Sequence, residues 1–261
     1  MPPARSVQSP GLTPVPSADA GGRKPCYHRV LLKISGEAFC KPKSFGIDSE
    51  ELQLIAREIA AAAKLGSQLA VVVGGGNIIR GAALSEQGTI TQATADYMGM
   101  LGTAVNGLAL KEALEHIGTP ARVLSALNLT SVAELFIRGR AIRHLEKGRV
   151  VIFVAGTGNP FFTTDTAAAL RAAEIGADIL LKATKVDGIY DKDPVKHADA
   201  SKYDQLTYRQ ALQRELKVMD GTAFAMLMER RIPLVVFNMK RAGHIAAVVS
   251  GQAHGTRVTA E

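Results

Sequence analysis

The residues best equipped for chemistry sit in one decapeptide, Gly156-Thr157-Gly158-Asn159-Pro160-Phe161-Phe162-Thr163-Thr164-Asp165. It follows a β-branched run, Val150-Val151-Ile152-Phe153-Val154, and leads into an Ala-rich helical stretch from Thr166 to Ile175. A strand that feeds a glycine turn and then a helix is suited to holding an anion. Glycine lets the backbone approach closely, and the unbonded N–H groups of the first helical turn point at the charge. An N-capped helix alone, with Thr163 or Thr164 as cap and Asp165 favouring the dipole, accounts for the Thr-Asp ending. It leaves Phe161 and Phe162, two apolar rings beside a polar turn, without a reason.

Two further strand ends carry glycine and a cation. Arg29-Val30-Leu31-Leu32-Lys33-Ile34 runs into Ser35-Gly36-Glu37. A Lys in such a run is either an edge-strand residue with its stem along apolar surface, or a ligand-facing residue at the strand's C-terminal end, where α/β sheets gather their ligands. The Ser-Gly turn beside it favours the second. Gln68-Leu69-Ala70-Val71-Val72-Val73 runs into Gly74-Gly75-Gly76-Asn77, with Arg80 one helical turn on. One glycine suffices for a tight turn; three followed by Arg suit a phosphate clamp.

These stretches must be positioned by alternating elements. Helices are expected from Asp48 to Leu65, Asp96 to His116, Ile137 to Lys147, Leu206 to Glu215 and Asp220 to Arg231, with a last helix before a terminal strand near Arg257. Ala121–Ser125, Asp178–Ala183 and Pro233–Asn238 are further strands. The loop from Thr184 through Lys185, Asp187, Gly188, Tyr190 and Asp193 fits either a hairpin turning at Asp187-Gly188 or an adenine-binding loop. Strand–helix alternation predicts an α/β fold, a three-layer αβα sandwich around a mostly parallel sheet. Residues 1–26, rich in Pro, Ser, Gly and Ala without apolar periodicity, are expected to be a disordered tail, and residues 27–261 a single domain.

Composition narrows the function. Of 261 residues 47% are hydrophobic and 21% charged, enough for a substantial core. No apolar run approaches the roughly 20 residues of a membrane span, and Cys26 and Cys40 are the only cysteines, so a soluble cytoplasmic protein is expected. The formal charge of +7 lies partly in the leading segment, and suits an acidic small molecule at least as well as nucleic acid. No basic–aromatic stripe argues for single-strand binding. There is no G-x-x-x-x-G-K-[ST], no HExxH and no G-x-S-x-G; Gly156-x-Gly158-x-x-Phe161 misses the third glycine of a dinucleotide fingerprint. The six His are scattered, and no metal-ligand set is assigned. Several glycine-rich strand ends, each with a cation or hydroxyl, suit two phosphorylated ligands meeting at one sheet edge. Phosphoryl transfer needs chiefly positioning and neutralisation of moving charge.

Taken together, these residues resemble the amino acid kinase family, most closely its UMP-phosphorylating members. The motifs that carry the resemblance are Leu31–Glu37, Val73–Asn77 with Arg80-Gly81, Asp96-Tyr97-Met98-Gly99-Met100, Gly156–Asp165, Lys182–Asp187 and Leu216-Lys217-Val218-Met219-Asp220, in that order. The resemblance implies the amino acid kinase (carbamate kinase-like) fold and Mg²⁺-dependent transfer of the ATP γ-phosphate to UMP. It implies that Lys33, Ile34, Ser35, Gly36, Gly76 and Arg80 hold ATP phosphates, with Thr184, Tyr190 and Asp193 lining the rest of the ATP pocket. Gly75, Asp96 and the stretch Thr157, Gly158, Asn159, Pro160, Phe161, Phe162, Thr163 and Thr164 would hold UMP, Asp96 taking the ribose hydroxyls. Lys33, Arg80, Asp165 and Lys182 would be catalytic, Asp165 orienting the lysines; Lys182 and Lys185 both remain open as the second cation.

The N-terminal half would then be mainly the UMP site and the C-terminal half mainly the ATP site, in a cytoplasmic homohexamer of the pyrimidine pathway with GTP and UTP as effectors. The segment linked to GTP in the family reads Lys41-Pro42-Lys43-Ser44-Phe45-Gly46 here, in place of a Gly-rich loop; Lys41 and Lys43 would meet an effector's phosphates electrostatically. A carboxylate kinase of the same family, or a nucleotide-binding storage or regulatory protein on its fold, are the alternatives.

Overall fold

A computed structural model describes residues 25–79, 88–216 and 218–261. Arg80, Lys217 and nearly all of the Pro-rich leading segment therefore lie outside the described residues. The strands are β1 (Arg29–Ile34), β2 (Gln68–Val73), β3 (Ala121–Ser125), β4 (Glu134–Leu135), β5 (Val150–Val154), β6 (Ile179–Thr184), β7 (Ile189–Tyr190), β8 (Lys202–Tyr203), β9 (Gln205–Thr207), β10 (Leu234–Asn238) and β11 (Thr256–Thr259). The helices are α1 (Ser49–Ala63), α2 (Gln92–His116), α3 (Arg138–Glu146), α4 (Thr164–Ile175), α5 (Tyr208–Gln213), α6 (Gly221–Glu229) and α7 (His244–Val249), with a 3₁₀ turn at Gly36–Phe39.

Among the described residues nine strands form one sheet in the order β4-β3-β5-β2-β1-β6-β10-β11-β9, and only the β10–β11 pairing in it is antiparallel. Buried on both faces, its central strands are nearly continuous aliphatic runs, as parallel strands under helices must be. Alternation decides which side each residue serves. Val30, Leu32 and Ile34 of β1 join one core with Ile55 and Ile59 of α1, Leu110 and Leu114 of α2, and Ile245 and Val248 of α7. Leu31 joins the opposite core with Leu145 of α3, Ala168 and Ala172 of α4, Tyr208 of α5 and Phe224 of α6. The architecture is the expected three-layer α/β sandwich.

Two open alternatives are decided and several element bounds are corrected. β1 is the middle strand of the nine, so Lys33 is not an edge-strand lysine. The Asp187-Gly188 pair is not a hairpin tip: the antiparallel pair joins Ile189–Tyr190 to Lys202–Tyr203 across residues 191–201. Leu206 is strand, in β9, and the helix begins after it at Tyr208, capped by Thr207. α2 starts before Asp96, at Gln92, with Thr91 as its cap. The two-residue strand β4 has no counterpart in the sequence pattern.

Candidate active site

Parallel register brings the site's cations together. β1 and β6 pair with Lys33 directly opposite Lys182, both near the strands' C-terminal ends. Being of the same parity as Leu31, Lys33 faces the side where α4 packs, and α4 supplies Asp165 in its first turn. Lys33 Nζ lies 2.9 Å from Asp165 Oδ1, and Lys182 Nζ donates to Asp165 Oδ2 at 2.6 Å and to the Val218 carbonyl at 2.5 Å. All three side chains are at most 15% exposed. Burial pushes the Lys182 ammonium below the ordinary lysine range; Asp165 pulls it back up, and neighbouring Lys33 pushes it down again. Lys185 goes elsewhere, forming an exposed ion pair with Glu37 at 2.8 Å. Among the two candidates for second cation, Lys182 alone shares Asp165.

The glycine turns after β1 and β2 pack against each other. A Cβ on Gly36 would stand 2.5 Å from the Gly76 nitrogen, and one on Gly75 would stand 2.5 Å from the Gly99 carbonyl of α2. Both distances are closer than any real Cβ contact, so the turns after β1 and β2 touch each other and α2 only because side chains are missing. The turn after β2 is held from beneath by a buried amide pair. Asn106 of α2 donates to the Gly74 carbonyl at 2.7 Å and to Asn77 at 2.6 Å, and Asn77 donates on to the Gly46 carbonyl at 2.8 Å. Ser35 follows β1 at the N-cap position of the 3₁₀ turn, where its side chain makes no capping hydrogen bond. Ile34 is fully buried, and its carbonyl accepts the Gly74 N–H at 2.8 Å, which joins the ends of β1 and β2.

The decapeptide and the Ala155 before it form a strained loop pinned at two points to α2. Ala155, Gly156, Gly158 and Phe161 all have positive φ. For Ala155 and Phe161, left-handed backbone costs on the order of 1–2 kcal/mol each. Thr103 accepts the Ala155 N–H at 2.6 Å, and Asp96 accepts the Phe161 N–H at 2.8 Å. Thr157 and Asn159 bond to each other within the loop. Phe161 and Phe162 are 73% and 49% exposed, displayed beside the turn and not buried by it. Thr163, not Thr164, is the N-cap of α4, accepting from Asp165 N and Thr166 N.

Asp220 is the residue that inspection of the sequence missed as part of this site. There it stands as a helix start and as the last residue of the Leu216–Asp220 motif, with no role of its own. In space it caps α6 through Ala223 N, accepts from Thr166 Oγ1 at 2.8 Å and from the Thr163 hydroxyl, and so ties the decapeptide to the chain that follows Val218. Burial pushes its carboxyl up, but these hydrogen bonds outweigh burial and hold it below the ordinary carboxylate range.

Beyond Lys182 the C-terminal half opens a cleft of about 520 Å³, lined by Thr184, Val186, Tyr190, Asp193, Arg214 and Leu216 among others. Thr184, Tyr190 and Asp193 thus come together on one wall set, continuous with Lys182. Gly75, Asp96 and the decapeptide lie on the side of β2, β5 and α2. Among the described residues no group of three His, Cys, Asp or Glu side chains is arranged to hold a metal ion, and no helix is long and apolar enough to cross a membrane.

Comparison with known proteins agrees with this geometry. The amino acid kinase family model matches residues 28–238. A uridylate kinase of Xanthomonas oryzae pv. oryzae is 54% identical over 232 residues, covering 89% of this chain and 96% of that protein. One from a Sulfurovum species is 56% identical over 223 residues, covering 85% and 95%. Among solved structures, the UMP kinase of Bacillus anthracis superposes with a TM-score of 0.87 at 36% identity, covering 90% of this chain and 97% of that one. The UMP kinase of Ureaplasma parvum gives 0.84 at 38%, covering 89% and 98%. The Lys33–Asp165–Lys182 cluster, the touching glycine turns and these likenesses place the chain in the amino acid kinase family, among its uridylate kinases.

Proposed function

We propose that this chain transfers the γ-phosphate of ATP to UMP, giving ADP and UDP. The observation that carries the reading is the pair of ammonium groups of Lys33 and Lys182, both held by Asp165 near the C-terminal ends of β1 and β6. ATP would lie with its base in the cleft of Tyr190 and Asp193 and its phosphates over Ser35, Gly36 and Gly76. UMP would lie against Gly75, Asp96 and the loop from Thr157 to Thr164. The transferred group would then pass between them, in line, over the two lysines.

The chain's task in such a reaction is placement and charge neutralisation. Lys33 and Lys182 would meet the negative oxygens of the moving group, and Asp165 would keep two neighbouring cations aligned without joining the chemistry. Arg80, outside the described residues, would supply a planar clamp on the same phosphates. Magnesium would arrive with ATP as the Mg–ATP substrate, carried by phosphate oxygens and water as this ion commonly is.

The same reading carries a single domain over residues 27–261, with the UMP site mainly in its first half and the ATP site mainly in its second. It also carries a cytoplasmic homohexamer in pyrimidine nucleotide synthesis. An exposed apolar stripe on α2, Tyr97, Leu101 and Val105, supports contact between subunits. Of the two lysines proposed to meet GTP or UTP phosphates, Lys41 is shared by Asp48 at 3.3 Å and Glu50 at 3.0 Å. An effector must therefore displace a carboxylate to reach it.

The test is ADP release with Mg–ATP and, in parallel, UMP, CMP, dUMP, N-acetylglutamate and aspartate. Turnover with UMP alone is expected. Turnover with a carboxylate acceptor would make the chain a carboxylate kinase, and ATP binding with no acceptor consumed would make it a storage or regulatory protein.

A further inference from the structure

Tyr190 belongs to two walls. Besides the 520 Å³ cleft it lines a smaller pocket of about 290 Å³ that the phosphoryl-transfer reading does not use. The rings of His244 and His254 meet there, with centroids 4.6 Å apart and planes 28° from parallel. Arg241, from the turn before α7, and Lys202, from β8, line the same space. The side chains thus converge from separate segments on one cavity.

The charge there is unbalanced. Asp187 is the one carboxylate in the lining; it accepts from Asn238 Nδ2 at 3.1 Å and is ion-paired with Arg241 at 3.4 Å. The Lys202 ammonium donates to the Gly255 carbonyl at 3.3 Å, next to His254, and its other partner, Asp204, is an 89% exposed side chain. On its other side His254 borders a second cleft with Tyr27, Asp204 and Arg257. Burial pushes the His254 imidazole below its ordinary range, and the positive charges of His244, Arg241 and Lys202 push it the same way. The electrostatic groups acting on that ring are all cationic.

We propose that this pocket binds a small tetrahedral oxyanion of the phosphate class, held by Arg241, Lys202 and His254. An oxyanion adds negative charge to a lining that sets Arg241 and Lys202 against the single carboxylate of Asp187, and guanidinium, ammonium and imidazolium are all donors matched to its oxygens. Its arrival favours the charged imidazole, so binding takes up a proton at His254. The affinity must then fall as pH rises between the midpoint of the free ring and that of the occupied one.

Sulfate is the probe, because it stays a dianion where imidazole titrates. The midpoint of His254 is read from its Cε1–H resonance in the full chain, with Mg–AMP-PNP present to fill the larger cleft and chloride at matched ionic strength as control. Sulfate is expected to raise that midpoint, and its own affinity to fall by up to about tenfold per pH unit between the two midpoints. Arg241→Gln should weaken sulfate about tenfold or more, and His254→Gln should leave binding weaker and independent of pH. Ribose 5-phosphate, run in parallel, separates the sources: a shift with sulfate alone assigns the pocket to the free anion, and a shift with both assigns it to the phosphoryl group of a larger ligand. If sulfate moves the midpoint no more than chloride does, or binds the Arg241→Gln variant as well as the parent, the pocket is only a solvated basic surface and the proposal falls.

Discussion

Lys33 and Lys182 stand directly opposite each other on adjacent parallel strands, and both reach the carboxylate of Asp165. Two ammonium groups side by side, largely buried, repel; one carboxylate between them makes the arrangement tolerable. Removing it leaves two uncompensated charges, a change worth about 3 kcal/mol or more where burial is strong. Asp165→Asn should therefore lower stability to urea by about that amount near neutral pH. The Lys182 pKa is already depressed, and Asp165 is what raises it. A lysine becomes neutral above its pKa, so the deficit of the variant should shrink as the solution is made alkaline. Urea titrations near neutrality and at alkaline pH check it; an equal deficit at both would show that charge repulsion is not its cause. Turnover should drop at least about tenfold, or about 1.4 kcal/mol of transition-state stabilisation.

The depressed Lys182 pKa also predicts a limb in the pH profile. If the ammonium form neutralises the moving phosphoryl group, kcat/KM should decline as pH rises through a midpoint below the ordinary lysine value of 10.5. In Lys182→Arg the limb should vanish from the accessible range, because a guanidinium stays charged. A limb unchanged in the arginine variant would assign it to another group.

Asp96 reaches across the fold to accept the Phe161 N–H, 65 residues away, at 2.8 Å. Only one of its two oxygens is used in that bond, which leaves the other for a ligand hydroxyl. Asp96→Asn keeps an acceptor for Phe161 but loses the charge and one lone-pair-rich oxygen. The KM for UMP should rise about tenfold, the loss of one charge-assisted hydrogen bond, with the KM for ATP little changed. Steady-state kinetics with each substrate varied in turn decide it, and the reverse pattern would remove Asp96 from the UMP side.

Asp220 links stability to acidity. Its carboxyl is held below the ordinary value of 3.8 by Thr163, Ala223 and Thr166. A depressed carboxylate adds stability that is present above the unfolded pKa and is lost as pH falls through the folded one. Unfolding free energy should thus decline below about pH 4 in the parent. In Asp220→Asn that part of the decline should be missing and stability at neutral pH lower by about 1–2 kcal/mol, the scale of a lost cap and its hydrogen bonds. Parallel pH slopes in parent and variant would overturn the assignment.

The sequence by itself determined the layer order and the chemistry. Continuous aliphatic runs ending in glycine, alternating with capped helices, allow little besides a parallel α/β sandwich, and the caps at Thr163, Thr207 and Asp220 are local hydrogen bonds that local sequence can specify. Lys33 at the end of such a run, and the glycine turns after β1 and β2, were legible for the same reason. What only the tertiary structure decided was partnership. Whether Lys182 or Lys185 joins Asp165 depends on strand register and parity: Lys182 is opposite Lys33 on the same face, whereas Lys185 lies past the end of β6 and turns to Glu37. The link from Asp220 to Thr163 and that from Asp96 to Phe161 join segments 57 and 65 residues apart, where no periodicity can signal contact. The two-residue strands β4, β7 and β8 were invisible because one pair of residues has no period; the sheet edge and the ribbon exist only because neighbouring chain arrives to bond them.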